Sequence, residues 1–229
     1  MKTKTLARVG GLLYLADGIA GGFSEYVRTS NTVQGDAVAT ASNVASHLTL
    51  FRMAFATDLS DLLLYLTVGI ILFTIFRPIN GPVALAMLLL NSVSVPIQAL
   101  NMLSHGAVIL LATQSQFAMV SSPTMLLLLL DLHRVGYLIA QIFFGLYLLP
   151  LGYLVYRSGY LPRLVGVVLM VGAAGYAAGV GFSLAAPGFQ SSLATAFGLV
   201  GGIAELVFLL WLLIGGIAEP RQGALKWAA

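Results

Sequence analysis

The sequence contains no cysteine and very few charged residues. Without cysteine the chain can form no disulfide, no thiolate zinc site, no iron–sulfur cluster and no cysteine nucleophile, and its redox compartment cannot be inferred. Only 8% of the 229 residues are charged and 59% are apolar, whereas a soluble domain carries roughly a quarter of charged residues. The chain therefore has too few charges to cover its own surface in water, and its composition indicates a membrane protein.

Nucleic-acid binding and several common chemistries lack their sequence signatures. Eleven basic residues against eight acidic ones give a formal charge of only +3, and no basic stripe or aromatic-basic cluster is present, so we expect no nucleic-acid partner. The sequence has no Walker loop, no Gly-x-Ser-x-Gly elbow, no His-Glu-x2-His zinc motif and no dinucleotide fingerprint. These absences weaken the case for an enzyme without excluding one, and they point to no particular cofactor.

Six apolar stretches account for most of the chain. A bilayer core needs about 20 apolar residues per helix, and short polar or Pro/Gly breaks separate stretches of that length. We therefore predict an all-α, polytopic integral membrane protein, a single transmembrane domain over residues 1–229. An N-terminal signal peptide is disfavoured because Asp17 interrupts the first apolar run, which then resumes. The predicted spans are Ala7–Val27, Phe55–Phe76, Val83–Leu103, Val135–Tyr156, Leu164–Leu184 and Ala194–Ile214.

The distribution of Lys and Arg predicts the orientation of the bundle. Three connections contain no Lys or Arg: Thr29–Leu50, Ala112–Thr124 and Ala185–Leu193. The connections on the opposite side of the bundle are basic. Because basic residues of short loops stay in the cytoplasm, we expect both termini there. Arg28, Arg52 and Arg134 fall at outer helix ends, where they can reach the interface. The cytoplasmic set is Lys2, Lys4, Arg8, Arg77, Arg157, Arg163, Arg221 and Lys226.

Proline and glycine mark other features of the helices. Phe76-Arg77-x4-Pro82 and Tyr156-Arg157-x4-Pro162 lie 80 residues apart, which fits either an internal duplication or two independently selected tight hairpins. Pro96 and Pro150 should each kink a helix. The Gly-rich stretch Gly172–Gly181 is typical of closely packed membrane helices.

Polar residues inside the predicted helices are the candidates for function, because a charge in hydrocarbon is costly and usually faces a bundle interior or a cavity. Counted at about 1.5 Å per residue, Asp17 and Glu205 fall near the midplane of the bilayer. Asp61 and Asp58 follow one another outward on one face of the second helix. Gln98, Asn101 and His105 form a stripe on the third helix, and Asp131, His133, Arg134, Tyr137 and Gln141 extend along the fourth.

These positions predict one polar cavity that opens to the outer side, with Asp17 and Glu205 at its floor. The excess negative charge in this cavity would have to be neutralised by Arg52 or Arg134, by a bound cation, or by protonation of some carboxyls. Structural alternatives remain open for each group. Asp131, His133 and Arg134 can be a wetted end of a long helix, and Asp58 and Asp61 can pair with Arg52 or Arg134 to hold helices together. His105 and His133 alone are a weak indication of a metal or haem site.

Several short segments resemble a known family. The segments are Ala7-Arg8, Gly11-Leu12-Leu13-Tyr14-Leu15, Gly35-Asp36-Ala37, Leu50-Phe51-Arg52, Asp58-Leu59, Asp131-Leu132-His133, Gly136-Tyr137, Phe143-Phe144-Gly145-Leu146 and Ser158-Gly159-Tyr160-Leu161-Pro162-Arg163. The chain resembles the bacterial membrane family of domain of unknown function 4386. The resemblance implies a multi-pass protein of a prokaryotic plasma (inner) membrane with six or seven helices, and it supplies no catalytic residues.

Two main classes of function follow from these residues. In the first, a small solute, cation or lipid headgroup enters from outside and is bound or transported by the buried carboxyls. In the second, Asp58, Asp61, His105 and His133 serve a membrane-embedded enzyme that acts on a lipid or quinone through acid-base or metal chemistry. A third alternative is that the protein is a structural subunit, and it can also form a homo-oligomer. Carboxyls without a nucleophile or a metal triad favour the first class.

Overall fold

The computed structural model describes residues 3–186 and 191–217, and over these ranges the chain is entirely helical. A 3-10 turn at Ser115–Phe117 precedes α5, and a π-helical turn at Trp211–Gly215 follows α8. Three of the basic residues predicted to be cytoplasmic lie outside the described residues: Lys2, Arg221 and Lys226. The α-helices are α1 (Thr3–Asn31), α2 (Ala37–Ser46), α3 (Leu48–Phe76), α4 (Gly81–Thr113), α5 (Pro123–Leu146), α6 (Leu148–Ser158), α7 (Arg163–Ala185) and α8 (Ser192–Leu210).

Five helical segments among the described residues are long and apolar enough to cross a membrane: Leu48–Phe76, Gly81–Thr113, Pro123–Ser158, Arg163–Ala185 and Ser192–Gly215. Each corresponds to one of the predicted spans from the second to the sixth. Many large apolar side chains on these helices are exposed, which suits contact with lipid. The all-helical fold with several apolar spans is therefore confirmed.

Helix α1, the first predicted span, is long enough at 29 residues but is not among these five segments. It carries Asp17, Glu25 and Arg28 in addition to the basic residues of its first turns. The charged residues lower its hydropathy although its length exceeds the roughly 20 residues that a bilayer requires.

Helix α2 lies within a connection for which no helix was predicted. Its N-cap is Asp36, whose side chain accepts a hydrogen bond from the backbone N–H of Ala39 at 2.9 Å. The preceding Gly35 has a φ of 76°, a left-handed conformation that glycine adopts without steric cost. Together the glycine turn and the Asp cap fix where the short helix begins.

The long segment Pro123–Ser158 is interrupted at Tyr147, between α5 and α6. Pro150 explains the break, because its ring has no N–H to donate to Leu146 and clashes with that carbonyl. The predicted effect of Pro150 on its helix is thus confirmed. Pro96 lies inside α4, which remains a continuous helix over Gly81–Thr113.

The chain divides into two compact units, each assembled from separate stretches of sequence. Unit 1 comprises Met1–Leu15, Leu64–Val95 and Ala140–Ala229, and unit 2 comprises Ala16–Leu63 and Pro96–Ile139. The core of unit 2 consists of apolar side chains from α1 to α5: Val27, Val44, Phe51, Ala54, Val108, Leu126 and Leu130.

Within unit 1, α7 and α8 approach closely through glycine. A Cβ atom at Gly172 would lie 2.6 Å from the Cβ of Ala204, and one at Gly175 would lie 2.9 Å from the carbonyl oxygen of Phe197. These distances leave no room for any larger residue, so the glycines permit the contact between the helices. The predicted packing role of the Gly-rich stretch is confirmed.

Candidate functional site

The candidate residues divide unequally between the two units. Nine of the eleven belong to unit 2, and only Gln141 and Glu205 belong to unit 1. A single cavity shared by Asp17 and Glu205 stays a prediction. The unit 2 residues are Asp17, Asp58, Asp61, Gln98, Asn101, His105, Asp131, His133 and Arg134.

A buried ion pair between Arg28 and Asp58 lies at the centre of unit 2. The Arg28 Nη1 atom donates a short hydrogen bond to Asp58 Oδ2, and the two residues are only 7% and 8% exposed. Arg28 also contacts the carboxylate of Glu25, one turn earlier on α1, at 3.1 Å. Asp58 was expected to pair with Arg52 or Arg134 if it paired at all. The structure corrects that expectation, because Arg52 is exposed and Arg28 is the partner.

His105 is buried beside this ion pair, on α4. Its Nε2 atom lies 3.1 Å from the carbonyl oxygen of Phe51, and a carbonyl can only accept, so Nε2 carries a proton and donates. Its Nδ1 atom therefore faces Asp58 Oδ2, at 3.8 Å. The edges of Phe51 and Phe55 pack against the imidazole ring and hold its orientation.

His133 on α5 is the second buried imidazole of unit 2. Its ring centroid lies 5.9 Å from that of His105, with the two ring planes almost perpendicular. Asn101 Nδ2 donates to the backbone carbonyl of His133 at 2.8 Å, which joins α4 to α5. Gly136 makes room for that contact, since a Cβ there would lie 2.0 Å from Asn101 Oδ1. Among the residues that the structure describes, His133 Nδ1 is buried without a hydrogen-bond partner.

A pair of carboxyls, Asp17 and Asp61, forms another polar contact in unit 2. The Asp61 carboxyl lies close enough to the Asp17 carboxyl and to the backbone of Gly21 to interact with both. A Cβ at Gly21 would lie 3.2 Å from Asp61 Oδ1, so the glycine allows the carboxyl to approach α1. Two carboxylates repel, and a hydrogen bond between them requires a shared proton. Asp61 is not part of any ion pair with a basic side chain among the described residues.

The remaining unit 2 candidates are less enclosed. Arg134 and Asp131 form an ion pair at 3.0 Å whose side chains are 34% and 41% exposed. Since α5 begins at Pro123, well before the predicted span, both residues lie on an extension of the helix. This geometry fits the alternative of a wetted helix end. Gln98 is half-buried on α4.

Unit 1 holds a different arrangement around Glu205 of α8. Its Oε1 atom accepts hydrogen bonds from the hydroxyls of Tyr14 and Tyr147, and its Oε2 atom accepts one from Tyr176 at 2.7 Å. The hydroxyls of Tyr14 and Tyr147 also share a short hydrogen bond, and Tyr65 packs its ring edge against Tyr147. Helix α1, helix α7 and the turn at Tyr147 thus each direct one hydroxyl at the carboxyl of Glu205.

Gln141, the other candidate in unit 1, lies on α5 near the same helix. An ideal Cβ at Gly198 of α8 would be 3.9 Å from Gln141 Nε2. Gly198, Gly202 and Glu205 follow an i, i+4, i+7 spacing and share one face of α8. Gln141 therefore lies beside the helix face that carries Glu205.

Each cluster suggests a distinct chemistry. In unit 2 the Arg28 charge neutralises Asp58, whereas Asp61 lies against a second carboxyl, Asp17, with which it can share a proton or a cation. His105 and His133 add imidazole nitrogens in a dry environment. No group of three or more His, Cys, Asp or Glu residues within residues 3–186 and 191–217 has an arrangement able to hold a metal ion.

Sequence reasoning did not identify Arg28 or the tyrosines as site residues. A signal for Arg28 was present, because Asp17, Ser24 and Arg28 lie at i, i+7 and i+11 on a single face of α1. Ser24 is fully buried on that face and donates to the carbonyl of Ala54 at 2.9 Å. The sequence pattern indicated the tyrosines less clearly as site residues, since a single tyrosine in an apolar helix is common.

Comparison with known proteins agrees with the resemblance. A protein of Archaeoglobus fulgidus, named only as an uncharacterized protein, is 28% identical over 155 residues, which cover 68% of this chain and 78% of the relative. No solved structure matches the chain. The model of the family described as "Domain of unknown function (DUF4386)" matches residues 9–216, which is most of the sequence. The chain therefore belongs to the DUF4386 family.

Proposed function

We propose that this protein is a six-span protein of a prokaryotic cell membrane, with both termini in the cytoplasm, that binds and transports a small cation through unit 2. The observation that carries the proposal is the contact between Asp17 and Asp61. Both belong to apolar helices, and ionisable groups at such positions usually belong to solute or proton pathways. Helix α1 serves as the sixth span, since two of its charged residues, Asp17 and Arg28, are buried within unit 2.

The charges of unit 2 favour a cation over an anion. Asp58 is neutralised by Arg28, and Glu25 adds a second carboxylate to the same guanidinium. Asp61 has no such basic partner among the ion pairs of the described residues, and its contact with Asp17 is stable with one proton between the two carboxyls. A cation that displaces this proton would find two carboxylates in place. The site therefore exchanges a proton for a cation, which is the elementary step of proton-coupled transport.

The experiment measures stabilisation and proton release by the purified full chain in detergent. LiCl, NaCl, KCl and methylammonium chloride are titrated at constant ionic strength, with N-methylglucamine as the balancing ion. A cation that binds the folded state raises the free energy of unfolding, by about 2.7 kcal/mol at a hundredfold excess over Kd and further with the logarithm of its concentration. A pH-sensitive dye in weak buffer reports the released proton.

Asp61→Asn and Asp17→Asn should lose both the stabilisation and the proton release. Asp131→Asn is the matched control, because Asp131 is a half-exposed carboxyl of the same unit. It should behave as the wild type. The proposal fails if no cation of the series stabilises the protein, or if Asp61→Asn responds as the wild type does.

A membrane-embedded enzyme that acts on a lipid or quinone is the second candidate. The observation in its favour is the buried Nδ1 atom of His133, which has no hydrogen-bond partner among the described residues. A substrate hydroxyl or carbonyl could bind there, with His105 and Asp58 as the neighbouring acid-base pair. This function predicts altered lipid or quinone profiles in cells that overproduce the protein. His133→Ala and His105→Ala should abolish the change, and an unchanged profile in the overproducing cells would eliminate this candidate.

A further inference from the structure

The Glu205 carboxyl of unit 1 is surrounded by hydrogen-bond donors but not by positive charge. Tyr14, Tyr147 and Tyr176 all direct hydroxyls at it, and no Lys, Arg or His pairs with it among the described residues. Phenol hydroxyls stabilise and orient a carboxylate, yet they leave its charge uncompensated. Inside a membrane that charge costs several kcal/mol unless a proton or a cation accompanies it.

The carboxyl also has free hydrogen-bonding capacity and space beside it. Within the described residues Oε2 accepts one hydrogen bond, from Tyr176, whereas a carboxylate oxygen can accept two. Glu205 is only partly buried, and Gly202, one turn earlier on the same face of α8, is exposed. A Cβ at Gly202 would meet only the Tyr176 hydroxyl, at 3.9 Å. The surface of unit 1 is therefore open at Gly202, beside the Tyr176 hydroxyl and one turn from Glu205, and we call this position the recess.

Apolar side chains of α8 surround the opening of this recess. Leu199, Ile203 and Leu206 are 62%, 58% and 46% exposed. They belong to the candidate membrane span Ser192–Gly215, so their exposed surfaces face hydrocarbon. A ligand that reaches Glu205 by this opening therefore comes from the bilayer and must itself be partly apolar.

We propose that the recess beside Glu205 binds the protonated amino group of a small amphiphilic amine dissolved in the membrane. The ammonium donates to Oε2 of Glu205, and its apolar part lies against the exposed side chains of α8. The amide of Gln141, beside Gly198 on the same helix face, adds a further polar group near this face. Its residues Glu205 and Gln141 belong to unit 1, whereas the cation site proposed above consists of the unit 2 residues Asp17 and Asp61.

The chemistry selects an amine over related ligands. A hydrogen bond between an ammonium and a carboxylate is roughly twice as strong as one between neutral groups, so an alcohol of the same shape should bind more weakly. A quaternary ammonium carries the charge but has no N–H to donate to Oε2. The comparison of these three classes thus separates charge-assisted hydrogen bonding from apolar contact and from charge alone.

The experiment titrates 2-phenylethylamine, 2-phenylethanol and phenylethyltrimethylammonium by calorimetry into the purified full chain, in detergent near neutral pH. We expect saturable binding of the amine with a Kd at least tenfold lower than that of either comparison ligand. Glu205→Gln should raise the Kd for the amine at least tenfold. Gly202→Leu, which fills the recess without touching the carboxyl, should weaken it at least fivefold.

Gly181→Leu is the matched control for the glycine substitution, because Gly181 is an exposed helical glycine of unit 1 with nothing within 4 Å of an added Cβ. It should bind the amine as the wild type does. Equal affinities for amine and alcohol, or no saturable amine binding at all, would overturn the inference. If amine binding survives Glu205→Gln and is lost in Asp61→Asn, the amine-binding site belongs to unit 2 and the inference is wrong.

Discussion

Asp58→Asn removes the negative charge of the buried ion pair and leaves Arg28 almost unchanged in shape and surroundings. The Arg28 and Asp58 side chains are 9% and 11% exposed, so water can solvate the remaining guanidinium only poorly. Breaking a buried ion pair by neutralising one partner typically costs about 3–5 kcal/mol. Glu25 remains within 3.1 Å of Arg28, but its side chain is 57% exposed and it compensates the charge weakly.

We therefore expect Asp58→Asn to reduce the free energy of unfolding by about 3 kcal/mol, at the low end of that range. The matched control is Asp131→Asn, which breaks the ion pair with Arg134. The side chains of that pair are 34% and 41% exposed, so the loss should be at most about 1 kcal/mol. The double substitution Arg28→Met with Asp58→Leu removes both charges and should recover at least half of the loss.

The measurement is the free energy of unfolding from titration with sodium dodecyl sulfate in mixed micelles, monitored by the loss of helical circular dichroism. Wild type, the two single variants and the double variant are compared under the same conditions. If Asp58→Asn and Asp131→Asn reduce the free energy of unfolding by the same small amount, the argument from burial of the Arg28–Asp58 ion pair is refuted. In that case water reaches Arg28, and the ion pair is not held in a dry interior.

Three further substitutions test local packing and hydrogen bonds. Gly136→Ala places a Cβ 2.0 Å from Asn101 Oδ1, so it should reduce the free energy of unfolding by about 1–3 kcal/mol in the same titration. Tyr176→Phe removes a hydrogen bond to Glu205 and should cost about 1.5–3 kcal/mol there. Asp36→Ala removes the N-cap of α2 and should cost about 1 kcal/mol, which faster amide hydrogen exchange in α2 would report.

Each of these has a control. Gly18→Ala introduces a methyl group where nothing lies within 4 Å, so it should leave stability unchanged or raise it by up to about 1 kcal/mol. Tyr153→Phe alters a 39% exposed tyrosine and should stay within about 0.5 kcal/mol of the wild type. Asp36→Asn keeps a capping oxygen and should retain most of the protection in α2. Similar effects in a variant and its control would contradict the assigned contact.

The helices were predictable where apolar composition alone decides their extent. Helix α7 covers Arg163–Ala185, and the predicted span Leu164–Leu184 differs by one residue at each end. Helices α3, α4 and α5 instead extend beyond their predicted spans by seven, ten and twelve residues. A hydropathy pattern reports the thickness of the hydrocarbon layer, whereas backbone hydrogen bonding continues a helix into the polar region. The extensions carry Arg52, His105, Asp131 and His133.

The contacts of the candidate sites were only partly predictable. Spacing along α4 correctly placed Asn101 and His105 on the side of the helix that meets other residues of unit 2. Pairing between helices depends on rotation about each helix axis, which the sequence does not specify. For this reason Arg28 was expected at the membrane interface, although it is buried against Asp58.

The hydrogen bond between Tyr14 and Glu205 joins residues that lie 191 positions apart. At a synthesis rate of roughly 5–20 residues per second, Glu205 emerges roughly 10–40 s after Tyr14. During that interval the Tyr14 hydroxyl has no carboxylate to receive its hydrogen bond, and Tyr147, its other hydrogen-bond partner, also emerges more than a hundred residues later. Unit 1 can therefore be completed only when its last helix arrives, so a ribosome that stalls before α8 leaves behind an unfinished substrate for membrane proteases.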